Sequence, residues 1–203
     1  MKFFYKDLTV DVPSNVYYPR EDSTLFADFL CKYLKNQKFK NQKSILEIGC
    51  GSGFLSILVA RLTGAKIVAA DISKEAVACA KQNAKNNSVD IIVKQSDLFG
   101  NIKGKFDLII FNAPYLNEQD ELVEENIRRT WTGGLKLIEK FIKNSKNFLT
   151  KNGEILLLAS SATGDVLKLF QTNCFKADIV ERKKIAWEEL LIIKANISIE
   201  KKV

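Results

Sequence analysis

Short apolar runs alternate with helix-like segments through most of the chain, and this alternation limits the fold more than any other feature. Runs such as Ser44–Ile48 and Phe106–Phe111 have the length of buried strands, and the second is almost wholly apolar, as strands covered on both faces are. Between the runs, apolar residues recur at helical spacing. Strands that alternate with helices predict a doubly wound, mainly parallel α/β sheet, the Rossmann-like arrangement.

The predicted elements follow one another in chain order, without a repeat, a low-complexity tract or a linker. Helices are predicted over 21–34, 55–62, 74–85, 135–149 and 165–172. Strands are predicted over 44–48, 66–72, 90–93, 106–111 and 154–159. A terminal strand pair, 177–180 and 189–199, completes a sheet of seven strands. We therefore expect residues 1–203 to form a single domain, a size that buries a substantial core.

The composition excludes several kinds of chemistry. The chain has no histidine, so a Ser–His or Cys–His nucleophile pair and an imidazole base are both ruled out. The four cysteines (31, 50, 79 and 174) lack metal-ligand and CxxC spacing, which favours reduced thiols and no metal site. No apolar run approaches the roughly 20 residues that span a bilayer, and the start lacks a signal-peptide cleavage pattern. We expect a cytoplasmic protein whose catalysis depends on carboxylates, amides, Lys, Tyr or a cofactor.

The net charge is +7, from 31 basic and 24 acidic residues. Such a surface is compatible with RNA as a partner. The lysines are scattered along the whole chain, however, which favours the simpler interpretation of a solvated surface. A nucleic-acid partner therefore stays possible but is not favoured.

Polar residues follow four successive predicted strands, where ligands bind in open α/β sheets. The first set is GCGSG, residues 49–53, whose glycines allow a sharp turn and close approach of a ligand. Its GxGxG spacing is neither a P-loop nor the dinucleotide fingerprint. Asp71 is placed to accept ribose hydroxyls, or to cap the next helix, a role that Ser73 could fill equally well. Asp97 is placed to accept from an adenine amino group, or is an ordinary loop aspartate.

The fourth set is FNAPY, residues 111–115. Asn and Pro are common turn formers, so this segment alone could be only a turn. Four such sets at the ends of four successive strands are harder to dismiss than any one of them. Together they predict a nucleoside pocket with a further group at its mouth.

These motifs resemble those of the class I S-adenosylmethionine-dependent methyltransferases. FNAPY resembles the (D/N)PP(Y/F) of enzymes that methylate a planar nitrogen. NVYYPREDSTLF, residues 15–26, resembles the V-Y-x-P-x-E-D-(S/T) of the HemK-related protein glutamine methyltransferases of the archaeal and eukaryotic type, which modify class I translation release factors. TWTGG, residues 130–134, resembles the A-W-A-G-G that follows their catalytic loop. The likeness runs from about Val16 to the C-terminus.

The resemblance implies S-adenosyl-L-methionine as the cofactor. Its binding residues would be Ser23, Glu47, Gly49, Gly51, Gly53, Asp71, Asp97, Leu98 and Asn112. Glu47 and the Gly49 region would border the methionine and ribose, Asp71 would hold the ribose, and Asp97 and Leu98 would border the adenine. Residues 1–40 would form a segment and helix that cover this site. The alternative for residues 21–23 is an acidic first helical turn that favours the helix dipole.

FNAPY would supply the catalytic residues Asn112, Pro114 and Tyr115 and, with Ala113, the substrate site. A carboxamide nitrogen is a poor nucleophile, so two acceptors, the Asn112 side-chain oxygen and the Ala113 carbonyl, would bind its N–H groups and align it. Pro114 would fix the loop backbone, and Tyr115 would pack on the flat amide. Ala113 replaces the first proline of the family's pattern, so we expect a less rigid loop.

The implied reaction is N5-methylation of the glutamine in the Gly-Gly-Gln motif of a class I release factor, with a small zinc-binding adaptor as a possible subunit. Several alternatives remain open: methylation of a nucleobase amino group such as adenine N6, methylation of protein lysine, and a non-catalytic cofactor-binding subunit. The acidic run EQDELVEE, residues 118–125, would repel a phosphate backbone and favour a basic protein, or is simply a solvated loop.

Overall fold

The computed structural model describes residues 1–36, 43–114, 134–185 and 188–198. The strands in these ranges are β1 (Lys2–Tyr5), β2 (Leu8–Asp11), β3 (Ser44–Ile48), β4 (Lys66–Asp71), β5 (Ile92–Gln95), β6 (Phe106–Asn112), β7 (Leu149–Ser160), β8 (Phe175–Ile185) and β9 (Glu188–Ile197). The α-helices are α1 (Glu21–Asn36), α2 (Phe54–Thr63), α3 (Lys74–Asn86), α4 (Gly134–Ser145) and α5 (Val166–Thr172). Short 3-10 turns at Lys146–Phe148 and Ser161–Thr163 precede and follow β7.

Seven strands form one sheet in the order β5-β4-β3-β6-β7-β9-β8. All neighbouring pairs up to β7 are parallel, and β9 is antiparallel to both β7 and β8. This confirms the predicted doubly wound, mainly parallel sheet with its terminal strand pair. From β3 the chain winds outward through β4 to β5 and then returns to the other side of β3 as β6. The carboxyl ends of β3 and β6 therefore flank the topological switch point, where open α/β sheets bind ligands.

The central strands are apolar throughout because both faces of the sheet are covered. Successive side chains of a strand point to opposite faces. Leu108 and Leu156 accordingly belong to a core cluster with residues of α1, α2 and α3. Their sequence neighbours, Ile109 and Leu157, belong to a second cluster with residues of α4 and α5. All four of these strand residues are fully buried, which gives a helix–sheet–helix arrangement.

The N-terminal hairpin β1–β2 is an element that the sequence analysis did not predict. Leu8 and Val10 are buried in the first core cluster, and the rings of Phe3 and Tyr5 meet Phe54 of α2 edge to face, with centroids 4.9 and 5.3 Å apart. Each strand has only four residues, so the alternation is too brief to stand out in the sequence. An isolated two-stranded hairpin is only marginally stable, and the packing of β1–β2 against the helices stabilises it.

Several predicted boundaries were wrong. The helix expected over 135–149 ends at Ser145, and Leu149 begins β7, whose pairing with β6 is irregular between Phe106 and Leu108. The strand predicted over 90–93 lies two residues later. The strand predicted over 177–180 in fact spans Phe175–Ile185. The prediction was too short because this is an edge strand, whose charged side chains hide the apolar alternation in the sequence. Position 199, the predicted end of the last strand, lies outside the described residues.

Candidate active site

A cleft of about 270 Å³ opens at the carboxyl ends of β3, β4 and β6 and at the turn that follows β5. It is lined by most of the residues that the sequence singled out. These are Ser23, Glu47, Gly49, Gly51, Asp71, Asp97, Leu98, Asn112, Ala113 and Pro114. Gly53 is not among the lining residues, and Tyr115 lies outside the part of the chain that the structure describes, as do residues 118–125 and 130–133.

The glycine loop after β3 adopts a backbone conformation that side chains disfavour. Gly49 and Gly51 have φ angles of +66° and +51°, and a Cβ on Gly49 would lie 3.3 Å from the Phe111 ring. Gly53, with φ +80°, caps the N-terminus of α2, and a Cβ there would lie only 2.9 Å from the Cβ of Ala80. Gly53 therefore permits close packing of α2 on α3, and its role in cofactor binding remains a prediction.

Asp71 ends β4 and holds the glycine loop in place. Its Oδ2 accepts from the backbone N–H of Gly51 at 2.8 Å, and its Oδ1 accepts from the backbone N–H of Ser73 at 2.9 Å. The capping role belongs to Ser73, whose Oγ accepts from the N–H of Ala76. Burial raises the pKa of Asp71, although the backbone N–H groups oppose the shift. Each carboxylate oxygen has a second lone pair, so the group can still accept from a ligand in the cleft.

Glu47 lies at the floor of the cleft and is 2% exposed. Burial raises its pKa to about 8, against hydrogen bonds from the hydroxyl and backbone N–H of Ser56. The nearby Asp71 raises the pKa of Glu47 further. Burial also raises the pKa of the Cys50 thiol, which keeps it protonated. A ligand cation would stabilise the ionised form of Glu47.

The turn after β5 forms the opposite end of the cleft. Asp97 is exposed, and its Oδ2 accepts from Lys140 Nζ of α4 at 2.7 Å. Leu98 is 8% exposed and has a φ angle of +46°, a conformation that is uncommon for a residue with a side chain. Ser96 Oγ donates to the Leu98 carbonyl at 2.8 Å and so braces the turn. This end of the cleft combines an apolar wall with an accessible carboxylate.

Asn112 is the last residue of β6, which pairs with β3 on the side opposite β4. Its Nδ2 donates to Asp22 Oδ2 at 2.7 Å, and Ser23 Oγ lies 3.4 Å from the same nitrogen. Its Oδ1 is buried and has no hydrogen-bond partner among the described residues. An unsatisfied buried acceptor costs about 1–3 kcal/mol, so its presence in a ligand cleft indicates a group that is completed by a donor from the ligand.

Asp22 and Tyr17 also line the cleft, and the sequence analysis did not assign a role to either side chain. Asp22 is 3% exposed, and its Oδ1 accepts from the Tyr17 hydroxyl at 2.9 Å. The available signal was the position of Asp22 directly before Ser23 in the N-terminal motif. From the sequence alone, Asp22 was considered only together with Glu21, as one of two acids in the first turn of α1 that favour the helix dipole.

Ala113 replaces the first proline expected in the loop after β6. Its backbone N–H donates to the carbonyl of Leu158 in β7 at 3.1 Å, and the residue is 1% exposed. A proline has no N–H and could not make this bond. The loop thus keeps one anchor to the sheet that the family's usual residue would lack.

Within the described ranges, no group of three or more His, Cys, Asp or Glu side chains is arranged to hold a metal ion. In the same part of the chain, every helix is too short or too polar to cross a membrane.

Residues 22–184 match the sequence profile of the methyltransferase small domain. The chain belongs to this family. A protein of Methanocaldococcus jannaschii, provisionally named protein N5-glutamine methyltransferase, is 40% identical over 186 residues, which are 89% of this chain and 91% of that protein. The ribosomal protein L11 methyltransferase of Thermosipho africanus is 32% identical over 173 residues, 85% of this chain but only 55% of that longer protein.

A solved structure with the same fold is that of the E. cuniculi Mtq2–Trm112 complex, described as responsible for methylation of the translation termination factor eRF1. It is 21% identical, with a TM-score of 0.65, and the match covers 91% of this chain and 99% of the other. The expected relationship to class I methyltransferases is therefore confirmed, in family and in fold.

Proposed function

We propose that this methyltransferase uses S-adenosyl-L-methionine to methylate the side-chain amide nitrogen of a protein glutamine, that of the Gly-Gly-Gln segment of a class I peptide chain release factor. The observation that carries the proposal is the buried Oδ1 of Asn112, a residue that lines the cleft, because this oxygen accepts no hydrogen bond from any residue in the described ranges. Ala113 follows Asn112 and also lines the cleft, so its carbonyl oxygen would be the second acceptor for a group with two N–H bonds.

The cofactor proposal is supported by the chemistry of the cleft. S-adenosyl-L-methionine would supply an activated methyl group on a positively charged sulfur. Glu47 would bind the ammonium group, because a cation there stabilises a carboxylate that is otherwise protonated near neutral pH. Asp71 would accept from the ribose hydroxyls, and Leu98 with Asp97 would border the adenine. The glycine loop would allow close approach because Gly49 and Gly51, which line the cleft, carry no Cβ atoms.

The substrate amide would be bound by acceptors alone. Its nitrogen is a weak nucleophile because the lone pair is delocalised into the carbonyl. The rate enhancement would therefore come from orienting the nitrogen and not from a strong base. Asn112 Oδ1 and the Ala113 carbonyl oxygen would each accept one N–H, which directs the nitrogen toward the reacting carbon. Preorganised polar groups of this kind contribute several kcal/mol without a strong base.

The choice of glutamine is supported by the names of similar proteins. The M. jannaschii relative is named for glutamine N5, and the E. cuniculi complex for a termination factor. Because another relative is named as a ribosomal protein L11 methyltransferase, ribosomal protein L11 should also be tested as a substrate. Because the E. cuniculi neighbour is a two-protein complex, we include an adaptor subunit in the proposal, and the family resemblance implies that it would be small and would bind zinc.

The test is peptide mapping by mass spectrometry after reaction with isotopically labelled cofactor. The release factor would be offered with and without the adaptor, in parallel with ribosomal protein L11, tRNA, ribosomal RNA and DNA. We expect one added methyl group on the Gly-Gly-Gln glutamine, and none when that residue is changed from Gln to Ala. A methyl group on a lysine, on L11 or on nucleic acid, with none on the glutamine, would disprove the substrate assignment.

The matched enzyme variant is Asn112→Ala. We expect turnover to fall about 100-fold or more, as happens when one preorganised polar partner is lost. Cofactor affinity measured by calorimetry should fall much less, because the oxygen of Asn112 is assigned to the substrate amide. An Asn112→Ala variant with normal turnover would show that the loop after β6 is only a turn.

A further inference from the structure

We infer that Asp22 is a positioning residue that sets the orientation of the Asn112 amide and thereby presents its oxygen to the substrate. The inference concerns a side chain on α1, which is distant in sequence from the loop after β6. It deepens the proposed function, on which its kinetic test rests, but its structural test does not depend on the substrate.

Asp22 lies against the NH₂ end of the Asn112 side chain. Asp22 Oδ2 and Asn112 Nδ2 are 2.7 Å apart, a short distance that is typical of a charge-assisted hydrogen bond. Asp22 is 3% exposed, so water competes little for this contact. The opposite end of the amide, Oδ1, is buried without a partner among the described residues.

The orientation follows from the donor and acceptor character of the two groups. An ionised carboxylate accepts hydrogen bonds and donates none, so only the NH₂ end of an amide can face it. Turning the Asn112 amide over would place two oxygens against each other in a buried setting and would leave the NH₂ group directed at the ligand. A donor in that position would meet the N–H groups of a substrate amide, and the alignment would be lost.

Two further contacts hold the Asp22 carboxylate itself. The Tyr17 hydroxyl donates to Oδ1 at 2.9 Å, and Ser23 Oγ lies 3.4 Å from the same oxygen. Both neighbours lie on the N-terminal segment that lines the cleft. The carboxylate is therefore held by Tyr17 and Ser23 and in turn holds the Asn112 amide.

A competing explanation is that Asp22 merely favours the dipole of α1, as acids in a first helical turn do. Glu21 is the adjacent acid in the same turn, is exposed and does not line the cleft. Glu21→Gln removes the same charge from the same turn without touching Asn112. It is the matched control for Asp22→Ala and Asp22→Asn.

The structural test is NMR on protein with ¹⁵N-labelled asparagine, with the Asn112 side-chain signal assigned from its loss in Asn112→Ala. In the native protein and in Glu21→Gln, we expect slow hydrogen exchange at the Asn112 NH₂ group. In Asp22→Ala we expect exchange to quicken at least about tenfold, the factor that corresponds to loss of a charge-assisted hydrogen bond. Asp22→Asn, which keeps one acceptor oxygen, should be intermediate. Unchanged exchange in both Asp22 variants would overturn the inference.

The kinetic test is a double-mutant cycle on kcat with the release factor as substrate. Asp22→Ala should lower kcat about 100-fold, as misplaced reacting groups do, while the calorimetric Kd for S-adenosylhomocysteine stays within about twofold of native. Because Asp22 acts through Asn112, the double variant should be no slower than Asn112→Ala alone. Losses that add would overturn the inference, as would an equal loss in Glu21→Gln. Failure of every form to methylate the release factor would reject the proposed substrate and leave the NMR result to decide on Asp22.

Discussion

The carboxylates of Asp71 and Glu47 lie near the glycine loop and differ in their surroundings: Asp71 is half-buried and Glu47 is buried. Asp71 accepts from the backbone N–H groups of Gly51 and Ser73, which oppose the rise in its pKa. Glu47 is buried at the floor of the cleft and accepts from the hydroxyl and the backbone N–H of Ser56. Burial raises the pKa of Glu47 more than these two hydrogen bonds lower it, because the charged form is poorly solvated. The resulting pKa of about 8 couples the protonation of Glu47 to the stability of the protein near neutral pH.

Glu47 should make the ligand-free protein less stable as the pH rises. The unfolded chain ionises near 4.5 and the folded protein near 8, so between these values the folded state holds one more proton. Stability is then fully retained below pH 4.5, falls as the pH rises through this window, and levels off above about 8. The predicted total loss is about 3–5 kcal/mol.

The measurement for Glu47 is urea unfolding at several pH values from 5 to 9. Glu47→Gln should remove most of this slope and be the more stable protein at pH 8, while binding S-adenosylhomocysteine more weakly. Ser56→Ala removes a hydrogen bond that lowers the pKa, so it should extend the slope to higher pH. Identical slopes in native protein and Glu47→Gln would contradict the assignment.

At the scale of elements, the end of β6 is tied to two neighbours. The Ala113 N–H continues the pairing of β6 with β7 through the Leu158 carbonyl. Asn112 is tied to α1 by the contacts of its amide with Asp22 and Ser23. The first residues of the loop are therefore held by a sheet on one side and a helix on the other. Alanine at 113, which looked like a loss of rigidity in the sequence, adds a backbone donor.

Restoring the family's proline should destabilise this protein. Ala113→Pro removes the N–H that binds Leu158 and leaves a buried carbonyl without that donor. We expect the free energy of unfolding to fall by about 1–2 kcal/mol. This net loss is expected because the lost hydrogen bond outweighs the stabilisation that proline provides by restricting the unfolded chain. Urea unfolding measures the change, with Ala113→Gly as the control that keeps the N–H. A proline variant as stable as the native protein would show that the bond contributes nothing.

At the scale of the molecule, the core on the side of α4 and α5 supports the floor of the cleft. The Phe111 ring packs on Phe141 of α4 with centroids 4.7 Å apart, and its other edge closes the space beside Gly49. Phe170 of α5 belongs to the same core cluster but packs on Phe175, away from the lining residues. Phe141 and Phe170 are both fully buried, so they form a matched pair that differs in its connection to the site.

Phe141→Leu and Phe170→Leu should each lower the free energy of unfolding by about 1–2 kcal/mol, because each leaves a small cavity. Only Phe141→Leu should also weaken binding of S-adenosylhomocysteine, by about 0.5–1 kcal/mol, since it loosens the ring beneath the glycine loop. Thermal unfolding and calorimetry give the two quantities. Equal affinities for S-adenosylhomocysteine in the two variants would show that packing at Phe141 does not affect the binding site.

The sequence by itself determined the order of strands and helices, because strand and helix periodicities are local and strong in fully covered central strands. It also placed Asp71, Asp97 and Asn112 at the cleft, since polar residues that end parallel strands must meet at one edge of the sheet. It failed at β1–β2 and at the bounds of β8, where short or exposed strands have weak patterns and only packing decides.

Only the tertiary structure decided which polar atoms pair within the cleft. Asp22 and Asn112 are 90 residues apart in the chain, and no periodicity relates the first turn of a helix to the end of a strand that lies so far along the sequence. The same holds for the burial that raises the pKa of Glu47, and for the Leu158 carbonyl that receives the N–H of Ala113. These properties depend on distance and exclusion of water, which exist only after the sheet and its covering helices have assembled.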